Sequence, residues 1–110
     1  MIAKTLLDYL NTALDVPVYM EAPEQTSNYV IIDQTGSSRT NHITTTTFAL
    51  QSYGDSLYDA MLLNDEVETA MEGFAELGEI TRVELETDYN FTNTTTKQYR
   101  WQAVYSITHY

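Results

Sequence analysis

The chain has 110 residues, 43% of them hydrophobic, with four glycines, two prolines and no cysteine; that is the make-up of one compact domain, not of a disordered tail. Five basic against sixteen acidic residues give 5 − 16 = −11 at pH 7, so contact with nucleic acid or an anionic membrane would start from repulsion, and specific DNA binding is not expected. Without cysteine there are no disulfides, thiolate metal sites or cysteine nucleophile.

The longest apolar run falls well short of the roughly 20 residues of a membrane helix, and the opening MIAKTLLDYLN has neither a signal core nor a small-residue cleavage site. The expectation is a protein that stays in the cytosol where it is made, with no membrane partner.

Ile2, Leu6, Leu7, Leu10, Ala13 and Leu14 fall at helical spacing, which predicts a short amphipathic helix over residues 2–14. Val16-Pro17 ends it, because the residue before proline is driven out of the α region, and Val18-Tyr19-Met20 then runs as a short strand. Pro23 and the polar stretch Glu24 to Asn28 read as a loop. Tyr29 to Asp33 is a β-branched and aromatic run of central-strand character. Thr35 to His42 contains no apolar residue, and Ile43 to Tyr53 resumes the strand pattern. The pair reads as a hairpin whose long loop projects as a mobile arm.

Gly54-Asp55-Ser56 breaks the strand and offers an N-cap, with Asp59 three residues after Ser56 in the manner of a capping box. Leu57, Ala60, Met61, Val67, Ala70, Met71 and Phe74 continue one stripe for about five turns at 3.6 residues each, until Gly73 and Gly78 weaken it. From Ile80 the period becomes two: Val83, Leu85, Thr87 and Tyr89 alternate with Arg82, Glu84, Glu86 and Asp88, a half-buried strand with one charged face. A polar tip, Asn90 to Lys97, leads to a last strand in which Tyr99, Trp101, Ala103, Tyr105 and Ile107 alternate with polar residues. The expected fold is α+β, order α-β-β-β-α-β-β: one mixed, mostly antiparallel sheet with two helices packed on one face. No repeat or linker divides the chain, so residues 1–110 read as a single domain.

No pattern points to catalysis. His42 and His109, the two histidines, sit in a loop and beside the C-terminus, and no His-x-x-x-His or Glu-x-x-His spacing accompanies them, so no metal centre is expected. Gly36 lacks the lysine and the following helix of a phosphate loop. Ser37, Ser38 and Ser56 lack a nucleophile-elbow context. Sequons at Asn90 and Asn93 would matter only in a secreted chain. Glu68, Glu72 and Glu76 repeat at i, i+4, as do Asp55 and Asp59. Such carboxylates read first as a solvated face, second as a counterpart for Arg39, Arg82, Lys97 or Arg100 of a neighbouring subunit, and last as acid–base chemistry in a pocket, where their pKa values would be raised. Tyr99, Trp101 and Tyr105 read as core. Tyr53 and Tyr110 end strands, where a large ring is left partly exposed, and read as interface anchors.

With the elements in place, the chain resembles the tail terminator, or tail completion, proteins of long-tailed siphophages and related prophages of Gram-positive bacteria. The resemblance rests on VPVYMEAPE, YVIIDQTGSS, FALQSYGDSLYDAMLLNDEVETAM and VELETDYNFTNTTTKQYRWQAVYSITHY, in that order and spacing over most of the chain. It implies a non-enzymatic virion subunit without cofactor, assembled in the host cytoplasm as a ring, usually a hexamer. Such a ring caps the head-proximal end of the tail tube and docks it to the head–tail connector. Its partners would be other copies of itself, the tail tube protein and the neck proteins. A head-completion protein of the same interface is the nearest alternative, and a small acidic ligand-binding domain a more distant one. The family's functional surfaces are loops and sheet edges, which carries the expectation of assembly contacts onto Gly36, Ser38, Arg39, Asn41 and His42 of the first arm and Asn93 and Lys97 of the second tip. Tyr53 and Tyr110 join them on the strand-end argument.

Overall fold

The computed structural model describes residues 1–21, 23 and 28–110; the loop expected over Glu24 to Asn28 lies, apart from Asn28, outside them. The chain forms α1 (Ile2–Ala13), β1 (Val18–Tyr19), β2 (Tyr29–Thr40), β3 (Ile43–Gly54), α2 (Leu57–Phe74), β4 (Ile80–Asn90) and β5 (Tyr99–His109). The five strands make one mixed sheet in the order β1-β2-β3-β5-β4. Among the described residues, only the β1–β2 pair is parallel. Class and order are those expected from the sequence.

β3 is the middle strand, and its alternation sets the two faces of the sheet. Phe48 and Leu50 are buried with Val30, Ile32, Ala103, Tyr105 and Ile107 in one cluster with Leu6 and Leu10 of α1 and Leu63, Val67, Met71 and Phe74 of α2. Both helices therefore cover one face. Tyr9 of α1 locks them together: its hydroxyl donates to the Ala70 carbonyl at 2.6 Å, and its ring lies 5.2 Å from that of Phe74. Asn11 pins β1 as a strand partner would, accepting from the Val18 amide (3.0 Å) and donating to the Val18 carbonyl (3.2 Å).

The loop expected over Thr35 to His42 is a correction. β2 continues to Thr40, and the hairpin closes in two residues, Asn41 and His42, whose φ values of 51° and 68° give a type I′ turn. Gly36 to Thr40 pair with Thr47 to Ile43. The segment lacks apolar residues because its side chains are exposed, not because it leaves the ladder. A second correction concerns β4. The register shifts between Leu85 and Thr87, so Leu85 faces Tyr105 while Asp88, two residues from Glu86, faces Ala103. This bulge moves Thr87 and Tyr89 to the open face and Asp88 to the helix side, against the uninterrupted alternation expected there.

The strand-to-helix corner is set by Ser56, whose hydroxyl accepts from the Asp59 amide at 3.1 Å. Gly54 lets the chain pass close to that first turn: a Cβ there would stand 2.6 Å from the Ala60 nitrogen. Gly54→Ala should therefore cost about 1–3 kcal/mol through backbone displacement. Gly36→Ala, which meets nothing within 4 Å, should stay within about 0.5 kcal/mol. Paired denaturant titrations of the two variants test this.

Candidate functional site

The nine residues expected to make assembly contacts do not form one site. Asn41 and His42 occupy the turn at one end of the sheet, and Gly36, Ser38 and Arg39 lie on the adjoining stretch of β2. The Arg39 Nε donates to Thr44 Oγ1 at 3.3 Å. Tyr110 stands at that same end, 75% exposed, its amide directed at the Glu79 carbonyl at 3.4 Å. Tyr53, Asn93 and Lys97 lie at the other end, ten residue steps along β3 or about 33 Å away at 3.3 Å per step. There Asn93 bridges to Gln98, and its Oδ1 accepts from the Thr95 and Thr96 amides. Lys97 takes φ 56° to complete the turn, and Tyr53 and Lys97 share the lining of one shallow hollow.

Tyr53 departs from the exposed ring expected of it: it is buried, stacked on Tyr29 with centroids 4.6 Å apart. Its reach explains this. It lies on the face away from the helices, where a band of aromatic and amide side chains crosses the sheet. Arg100 donates to the Tyr53 hydroxyl (3.1 Å), Tyr53 to Gln51 Oε1 (3.1 Å), Gln51 to Gln102 Oε1 (2.8 Å), and Gln102 to the Tyr89 hydroxyl. The Arg100 guanidinium sits 4.4 Å from the centroid of Phe91, and its Nε donates to the Phe91 carbonyl at 2.6 Å. Each member is tied to the next by a hydrogen bond, so they hold one another in place. Among the inward set, Tyr105 is buried, whereas Tyr99 and Trp101 are half-buried.

The second feature is a hollow of about 230 Å³ between α2 and the β4 edge, lined by Glu68, Met71, Glu72, Val83, Leu85 and Tyr105. Glu68 is half-buried there, and Asn64 Nδ2 donates to its Oε2 at 2.6 Å. Burial, then the Asp88 carboxyl beside it, push its pKa up to about 7, against the opposing Asn64 bond. The Tyr105 hydroxyl is pushed up as well, by burial first and then by the charge of Glu68. The i, i+4 glutamates were legible as a row. Their meeting with Asp88 was not, because it depends on the bulge at Glu86.

Among the described residues, no group of His, Asp and Glu is arranged to hold a metal ion, and no helix is long and apolar enough to cross a membrane. Neither a protein-family model nor a curated protein matches the sequence.

Because the Glu68 pKa is raised by folding, its protonated form favours the native state: the contribution is present below pH 4.5 and is lost as pH rises through about 7. Discounted for solvent at a half-open site, this amounts to about 1 kcal/mol. Denaturation midpoints should fall between pH 5 and pH 8, and Glu68→Gln should flatten that slope.

Proposed function

We propose that the chain is a structural subunit of a phage tail. It assembles as a ring, a hexamer by the resemblance, that caps the head-proximal end of the tail tube and joins it to the head connector. The observation that carries the reading is the single-sided packing of the fold. Both helices pack on one face, while the other keeps Tyr89 and Phe91 more than a third exposed. A subunit built this way completes its burial by association. The element order on which the resemblance rests agrees with this fold. In this role the chain performs no catalysis and needs no cofactor; its partners are its own copies, the tail tube protein and the neck proteins, and its place is the virion.

One observation favours a second reading, a small-ligand-binding domain: the hollow in which burial raises the Glu68 pKa to about 7. That reading requires a ligand whose binding Glu68→Gln weakens while assembly is unchanged.

Light scattering over a concentration series, alone and with tail tubes of the phage or prophage that encodes the chain, should give a discrete ring or a monomer that becomes one on the tube. A monomer indifferent to tubes would overturn the ring. Deleting the gene separates positions within the virion: tails of uncontrolled length fit a terminator, and leaking filled heads fit a head-completion protein.

A further inference from the structure

We propose that the open sheet face of one copy receives the outward stripe of α2 of a second copy, so that subunits join head to tail through two different surfaces. The proposal rests on the ring reading and assigns its interface.

On α2 the side turned from the core carries Tyr58, Met61 and Leu62, each more than two-fifths exposed. At helical spacing they are continued by Asp65, Thr69 and Glu72, all exposed. The stripe is apolar in its first half and acidic in its second. The whole helix holds Asp59, Asp65, Glu66, Glu68 and Glu72 and no basic residue.

The open face has the complementary layout. The Tyr89–Gln102 row crosses it near one end, beside Phe91 and Arg100. Arg82, opposite Thr108, marks the other end. Three of the five basic residues, Arg82, Lys97 and Arg100, belong to this side of the molecule; Asp33 and Glu84 share the face, Asp55 lies beside Lys97, and Arg82 pairs with Glu84 at 3.0 Å in a solvent-exposed contact that a second carboxylate can join. Between the two ends lie Thr47, Ala49, Val104 and Ser106, low side chains on which a helix can rest.

The spacings agree. Met61 to Glu72 is eleven residues of α2, about 17 Å at 1.5 Å each. Gln102 to Thr108 is six residues of β5, about 20 Å at 3.4 Å each. With the Met61 end over Tyr89 and Phe91, Glu72 reaches Arg82.

Charge also selects against the symmetric alternatives. Helix against helix would oppose two surfaces that each expose Asp65, Glu66 and Glu72 and no cation of α2. Sheet against sheet would leave Tyr58, Met61 and Leu62 in water. Head-to-tail contact covers both surfaces at once, and repetition of such a contact closes a ring when its rotation permits.

The test uses two charge reversals in the full chain, Glu72→Lys on the helix and Arg82→Glu on the sheet, with melting curves to verify folding. Each variant alone should self-associate at least tenfold more weakly than the parent, and a 1:1 mixture should restore assembly. In the cysteine-free background, oxidation of a mixture of Asp65→Cys and Val104→Cys chains should give the mixed disulfide. A ring that withstands both reversals, or a Val104→Cys chain that links only to itself, would overturn this interface while leaving the ring reading standing. A chain monomeric alone and on tail tubes would overturn both.

Discussion

The register of β3 is the constraint on which the rest depends. As the central strand it is paired on both edges, so a one-residue slip would send Phe48 and Leu50 to the open face and Ala49 and Gln51 into the core. The cost of that exchange holds two hairpins in place together. Phe48 must meet Tyr105, Leu50 must meet Ile32 and Ala103, and the helices dock only on the face those residues create. The type I′ turn at Asn41-His42 and the close approach at Gly54 fix the two ends of the same strand.

Covering one face leaves the other to be satisfied by polar and aromatic side chains. The relay from Arg100 through Tyr53, Gln51 and Gln102 to Tyr89 ties β3, β5 and β4 together with bonds that each use a free donor and a free acceptor. The Tyr29–Tyr53 stack extends it to β2, and the edge contact of Tyr29 with Tyr19 extends it to β1. This band makes one end of the open face rigid, while Thr47, Ala49, Val104 and Ser106 leave its middle flat. An aromatic end and a flat middle on one wall, and an outward apolar and acidic stripe on the opposite wall, make the molecule two-sided in a way its net charge alone does not convey.

Much of the fold was legible because burial leaves a period. The helical spacing from Leu57 to Phe74, the Ser56 cap and the alternation after Tyr99 each report a face turned to the core. What could not be read is the structure that burial does not mark. The distal half of β2 is a strand held by backbone bonds and exposed side chains, so its polar composition looked like a loop. Tyr53 looked like a ring at an exposed strand end, and only the three-dimensional meeting with Tyr29 and Arg100 buries it. The candidate contact residues were legible as polar tips but not as two groups at opposite ends of the sheet, since that follows from strand order, which a single chain's pattern does not contain.

The bulge at Glu86 shows how one irregular residue couples the two surfaces. Without it, Asp88 would stay on the open face with Arg82 and Glu84, and Tyr89 would turn toward the helices. With it, Asp88 comes to Glu68 and adds to the rise in pKa that burial already causes there, and the Tyr89 hydroxyl becomes the end of the amide relay. β4 is also an edge strand, and its bulges near Thr81 and Glu86, with alternating charges, discourage further pairing along that edge. In the proposed ring, contact between copies would therefore run through the faces of the sheet and not along the β4 edge. The acid concentrated on α2 and the cations on the opposite side then favour unlike faces over like ones.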